Sequence, residues 1–258
     1  MPFNLERFMQ QKHRIAGSLF PKYSLRLDQV NNNALYLQWL RQNKNIRMFP
    51  GRVPFYNHIQ SEWFNNEPID YLEFGVFKGE SIALWADINR HPSSRFYGFD
   101  SFEGLPENWD RSAPAGAFNL NGLTPDIPDE RVKFIKGWFQ DSLPGFLETF
   151  VPKSRLVVHN DSDLHSSTIY VLTKLDDLLV AGSIVIFDEF GSALHEFRAW
   201  HDYLRAYRRK AKAIAGTGID DEEIRTAWTL LRAYRRKAKA IPDTSFHDEE
   251  VRMAFILE

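Results

Sequence analysis

Among its 258 residues the chain has no cysteine. Disulfides, thiolate nucleophiles and cysteine-ligated zinc are therefore excluded. It also lacks an excess of charge of either sign: 32 Lys and Arg against 34 Asp and Glu leave a net charge of -2. A nucleic-acid or membrane surface usually carries a clear basic excess, so neither partner is expected. Long apolar runs are missing as well. No stretch approaches the length of a transmembrane helix, and Met1–Phe20 mixes charge with apolar residues where a signal peptide needs a continuous apolar run. The expected compartment is the cytoplasm. What is present is 43% apolar and 26% charged residues, a globular composition on a chain long enough for one large core.

Residues 1–65 are rich in Asn, Gln, Arg and aromatics, with a helical patch at Ala34–Leu40 closed by the Phe49-Pro50-Gly51 turn. They are expected to form an N-terminal helical cap, and residues 66–258 one compact domain. Short apolar runs recur there at Ile69–Phe74, Arg95–Asp100, Arg131–Lys136, Leu156–His159 and Ser183–Phe187. Helical patterns at Glu80–Asn89 and His165–Val180 alternate with them. Strand and helix in alternation give an α/β class: a Rossmann-like, doubly wound parallel sheet with ligands outside the carboxyl ends of its strands. Val251–Leu257 is expected to supply a closing strand. Ser101–Pro128 is rich in Gly, Pro and Asn without periodicity, and a loop of that length leaving a strand end reads as a lid.

The chain also repeats itself: Leu204–Ile214 and Leu231–Ile241 both read LRAYRRKAKAI. In both copies apolar residues recur at steps of three and four, as on one face of a helix. The reading is a duplicated helix across residues 196–241, its bases forming solvated faces rather than an RNA-binding arm.

Candidate chemistry gathers at the strand ends. Tyr71-Leu72-Glu73-Phe74-Gly75-Val76-Phe77-Lys78-Gly79-Glu80-Ser81 spans a first strand, a turn and a first helix. Gly75 permits the tight turn and Gly79 a close approach to ligand. The spacing is not the G-x-G-x-x-G that cradles a dinucleotide pyrophosphate. A carboxylate at Glu73 suits instead the positive end of a phosphate-free ligand such as S-adenosylmethionine. Asp100 ends the next strand, where Rossmann-like folds bind ribose hydroxyls. Gly137 and Trp138 offer backbone and an aromatic surface for adenine. Val76, Ser81, Ser101 and Asp161 complete the candidate cofactor contacts. Further acids follow the later strands, at Asp161, Asp163, Asp188 and Glu189. Carboxylates gathered in one cleft favour a neutralising cation, and oxygen ligands without cysteine suit Mg²⁺.

In order and spacing, Glu73-Phe74-Gly75-Val76-x-x-Gly79, the run Gly98–Glu107, Gly137-Trp138-Phe139, Asp161-x-Asp163-Leu164-x-x-Ser167-Thr168, Asp188-Glu189-Phe190 and His195–Ala199 resemble the macrocin O-methyltransferase family. The resemblance covers roughly residues 69–210. It implies a class I methyltransferase fold, S-adenosylmethionine as cofactor and a Mg²⁺ site. It further implies Asp161, Asp188 and Glu189 as metal ligands and Asp163 as the catalytic general base. Glu189 stands where the family usually has Asp, and His165 where a tyrosine is common. The implied partner is a small-molecule hydroxyl acceptor, most simply a sugar of a bacterial natural product, and a homo-oligomer is left open. Competing readings are a nicotinamide-dependent oxidoreductase using Tyr170 and Lys174, a non-catalytic binding protein with this fold, and an RNA methyltransferase using the basic repeats.

Overall fold

The computed structural model describes residues 24–109, 113–218 and 251–258. Contacts divide the chain into two compact units, Met1–Gln42 and Asn43–Glu258. The described part of the first is one helix, α1 (Ser24–Gln42), which contains the expected patch at Ala34–Leu40 and a Tyr36–Trp39 stack.

The second unit runs β1 (Met48–Phe49), α2 (Arg52–Ile59), a π-helical turn (Gln60–Phe64), β2 (Ile69–Phe74), α3 (Glu80–Ile88), β3 (Arg95–Asp100) and β4 (Val132–Lys136). It continues with α4 (Phe139–Leu147), β5 (Arg155–Asn160), α5 (His165–Leu175), β6 (Ile184–Phe187), α6 (Glu196–Ala206), β7 (Ala211–Thr217) and β8 (Met253–Leu257). β1 and α2, which the sequence reading grouped with the cap, lie in this larger unit, where β1 pairs with β7.

The strands form one sheet in the order β1-β7-β8-β6-β5-β2-β3-β4. Among the described strands, only β8 runs antiparallel to its neighbours β6 and β7. β2 leads outward to β3 and β4, while β5 and β6 build in the opposite direction. The gap between the carboxyl ends of β2 and β5 is thus the topological switch point where such sheets bind ligands. A strand covered on both faces reads as continuous apolar sequence, and β2 is buried at every position. Its one acid at the far end, Asp70, is fully buried but paired. It accepts from Arg95 Nε at 2.6 Å and from the amides of Lys153 and Ser154 at 2.6 and 2.9 Å. Trp85 of α3 fixes one layer, its ring 4.9 Å from Tyr56 of α2 and 5.6 Å from Tyr71 of β2.

The repeat behaves differently from its helical pattern. α6 stops at Ala206, Arg208 takes a left-handed backbone (φ 55°), and the Arg209 amide donates back to Leu204 O. Arg209 Nε then donates to Asp176 at 2.8 Å. The chain leaves this turn as β7, so the expected helix through Ile214 is a helix end, a turn and a strand. The second copy, Leu231–Ile241, lies outside the described residues. With the strands located, the repeat is seen to be longer than its identical core. Leu204–Leu230 aligns with Leu231–Leu257 without a gap, and Asp-Glu-Glu with an arginine two residues on recurs at 221–225 and 248–252. β7 belongs to the first copy and β8 to the second.

Candidate functional site

A cavity of about 510 Å³ opens at the carboxyl ends of β2, β3, β5 and β6. Gly75, Val76, Ser81, Asp100, Ser101 and Trp138 all line it. Gly75 has φ 91°, and a Cβ there would sit 1.7 Å from the Asp161 carbonyl oxygen. The glycine is thus required by the close approach of the backbone following β5, which places Asp161 beside the turn. Asp100 organises the same turn: Oδ2 accepts from the amides of Val76 and Phe77 at 2.8 Å each, and Oδ1 from Phe102 N at 2.7 Å. A carboxylate has about four lone-pair sites, so the acid expected to hold a ribose already holds the loop that shapes the cleft.

Three sequence candidates stand elsewhere. Glu73 is fully buried and does not line the cleft. On a strand, residues two apart share a face, so Glu73 joins Tyr71, whose hydroxyl donates to Oε2 at 2.5 Å, and His159, its register partner on β5, at 3.3 Å. Both partners lie inside the sheet layer. Gly79 (φ 79°) begins α3, but a Cβ there would meet Pro125 and Ile127 of the long loop at 3.0–3.3 Å, so its bareness admits the loop rather than a ligand. Gly137 (φ 137°) also lies behind the lining, its amide bonded to Asp100 O. The Ser101–Pro128 loop does wall the cleft, through Gly104, Leu105, Pro106, Trp109 and Phe118.

The four later acids line the same cavity. Asp163 has a left-handed backbone (φ 61°) and is 9% exposed. Such a conformation is uncommon outside glycine and concentrates at functional sites. The Asp161 carboxyl is pushed well above its usual range, first by burial and then by the negative charges of Asp188 and Asp163. Asp188 goes the other way. Burial works to raise it, but the nearby His159 ring, with Nε2 3.6 Å away, and the charge of Arg252 outweigh burial and hold it low. Arg252 Nε and Nη2 donate to the two Asp188 oxygens at 2.5 and 2.9 Å, both side chains buried. Glu196 is buried behind Glu189: it accepts from Glu189 N and from Asn160 Nδ2, each at 2.8 Å, and so braces the ends of β5 and β6 together.

These groups fit a divalent cation. One ligand atom each from His159, Asp161 and Asp188 lies within 4.8 Å of the others, and the crowding that raises Asp161 is what a cation would relieve. The expected trio of Asp161, Asp188 and Glu189 shares two members with this cluster, with Glu189 on the same cavity wall. Arg252, Glu196 and His159 are the contributors that strand-end reasoning missed. Arg252 enters from just ahead of the last strand, far from the motifs, and only its recurrence in the repeat marks it. His165 sits apart, 3.4 Å from Asp202. Tyr170 and Lys174 do not line the cleft. Lys174 lies over the Tyr170 ring at 5.8 Å, and burial raises the Tyr170 hydroxyl, opposite to what a reductase tyrosine requires.

The strand order, with its antiparallel β8, and a cleft built on the Gly75 turn and Asp100 define a class I methyltransferase fold. The solved O-methyltransferase NovP matches it with a TM-score of 0.52 at 25% identity, over 64% of this chain and 75% of that one. The calicheamicin methyltransferase CalS11 matches at 0.51 and 21% identity, over 82% and 90%. The profile of the macrocin-O-methyltransferase (TylF) family covers residues 55–219, and the chain belongs to that family. Among curated relatives, an 8-demethyl-8-(2,3-dimethoxy-alpha-L-rhamnosyl)-tetracenomycin-C 4'-O-methyltransferase of Streptomyces olivaceus is 33% identical over 59% of this chain and 65% of its own length. The demethyldecarbamoylnovobiocin O-methyltransferase of Streptomyces niveus is 31% identical over 54% and 61%. The chain thus spans somewhat under two thirds of the length of these relatives. Among the described residues, no helix is long and apolar enough to cross a membrane.

Proposed function

We propose that the chain transfers a methyl group from S-adenosylmethionine to a hydroxyl of a small molecule, most simply a sugar of a bacterial natural product. The convergence of Asp161, Asp163, Asp188 and Glu189 on the cavity that the Gly75 turn and Asp100 also line carries this reading. The rhamnosyl group in the name of the Streptomyces olivaceus relative supports a sugar-bearing acceptor.

In this mechanism Val76, Asp100 and Ser101 surround the nucleoside, with Trp138 supplying an aromatic face. Asp161, Asp188 and Glu189 would hold Mg²⁺, which when bound supplies positive charge that lowers the pKa of an acceptor hydroxyl. Asp163, set at the rim by its left-handed backbone, takes the hydroxyl proton. The cleft walls exclude water and hold the acceptor oxygen in position, where orientation supplies much of the acceleration.

The test is Asp163→Asn, assayed by labelled-methyl transfer to a glycoside and to its aglycone. Turnover should fall by about 10²–10⁴-fold, the range for a positioned base, with affinity for S-adenosylhomocysteine unchanged and the label on the sugar. Wild-type turnover in the variant removes Asp163 as the base, and label on the aglycone removes the sugar acceptor.

A further inference from the structure

Six acids line the cleft, yet the cofactor of the proposed reaction ends in an amino acid whose carboxylate needs a cation. Three basic residues line the cavity: Arg52, Lys78 and Arg252. Arg252 is buried and bound through two nitrogens to Asp188. Lys78 is exposed, its Nζ 5.2 Å over the Phe77 ring. Arg52 is differently placed. As the first residue of α2, it reaches the first turn of α3, where Nη1 donates to Ser81 Oγ at 3.2 Å and Nη2 to Glu80 at 2.8 Å.

Two features make this corner receptive to an anion. The Arg52–Glu80 pair is exposed, at 33% and 67% of the two side chains, and exposed pairs are worth little. A ligand carboxylate can therefore take the guanidinium from Glu80 and gain a bidentate, charge-assisted contact. Beside it, α3 begins at Gly79 with no side-chain cap, so its first amides and the positive end of its dipole face the same corner. Ser81, 6% exposed, stands between the two with its hydroxyl already on Arg52.

We propose that Arg52, with Ser81 and the first amides of α3, binds the carboxylate of the cofactor's methionine end. The inference rests on the S-adenosylmethionine reading above and adds a residue that lies ahead of the family-matched segment 55–219. It makes Arg52 a selectivity residue. Ligands that keep the nucleoside and lose the amino acid should not sense it.

Calorimetry on the full chain tests this with two probes, S-adenosylhomocysteine and 5'-methylthioadenosine, the second lacking the amino-acid end. Arg52→Met should weaken S-adenosylhomocysteine by about ten- to a hundred-fold, as the loss of a charged hydrogen bond implies. It should leave 5'-methylthioadenosine unchanged, and Arg52→Lys should recover part of the loss. Glu80→Gln should hold or tighten S-adenosylhomocysteine binding, because it removes the competitor. Unchanged S-adenosylhomocysteine affinity in Arg52→Met, or an equal loss for both probes, overturns the assignment. A wild-type chain that binds neither probe overturns the methyltransferase reading itself and the assignment with it.

Discussion

Replacing Arg252 with Met keeps most of the side-chain volume and removes only the charge that faces Asp188. In the wild type both side chains are nearly inaccessible, 5% and 6% exposed, and two donors reach the two carboxylate oxygens. Removing one member of a buried ion pair costs about 3–5 kcal/mol, because the remaining charge is left in a medium that cannot solvate it. His159 Nε2 stays 3.6 Å from Asp188 and offsets part of this, so the lower end, about 3 kcal/mol, is expected. At about 2–4 °C per kcal/mol for a chain of this size, the midpoint should fall by roughly 6–12 °C. Thermal and urea unfolding in EDTA, where no ion can compensate, are the assays. The double variant Arg252→Met/Asp188→Asn should recover most of the loss, since it no longer buries a lone carboxylate. A single-variant loss below about 1 kcal/mol, or a double variant no more stable than the single, would show that the unpaired Asp188 charge is not what destabilises the fold.

Further outcomes follow from other parts of the fold. Burial works to raise the Asp176 carboxyl, but its hydrogen bonds from Arg209 and Tyr203 outweigh burial and hold it low. A depressed folded pKa adds stability above the unfolded value of about 3.9 and loses it as pH falls through the folded one. Asp176→Asn should therefore be less stable than wild type near neutrality, with the gap closing below about pH 4; a gap constant with pH in urea unfolding contradicts this. Deleting residues 218–244 removes one repeat length and leaves β7, β8 and every cleft residue in place. The shortened chain should keep the far-ultraviolet dichroism of the parent and its affinity for S-adenosylhomocysteine, and a chain that fails to fold shows the extra unit to be structural. Excess EDTA should abolish methyl transfer without lowering the melting temperature by more than a few degrees, and turnover that persists in EDTA removes the metal from the mechanism.

Six of the eight described strands were legible as short runs bounded by turn residues, and at Ile69–Phe74 and Ser183–Phe187 burial on both faces makes the run mostly apolar. β7 was not. Ala-Lys-Ala-Ile follows a helix without a proline or glycine between, so local pattern favours continuing it. What ends α6 is tertiary: Asp176, on the segment after α5, captures Arg209, and the sheet edge between β1 and β8 pairs the strand. β1 has only two residues, too few to carry a period. The strand-end acids were readable because topology alone brings strand ends together. Glu73 is not on the cleft lining. It lies two residues before the turn, and the period-two alternation of β2 sends it into the layer with Tyr71 and His159 rather than into the cleft. Arg52 and Arg252 were invisible because they arrive from elements flanking the motif-bearing core, where only the folded chain shows which strand end they meet.

The proposed reaction requires that this cleft bind S-adenosylmethionine and not a nicotinamide cofactor. Calorimetric titration of the full chain with S-adenosylhomocysteine and, separately, NADH tests it most directly. One saturable site for S-adenosylhomocysteine and no heat from NADH is the predicted result. NADH binding, with no response to S-adenosylhomocysteine, would mark the cleft as a nicotinamide site.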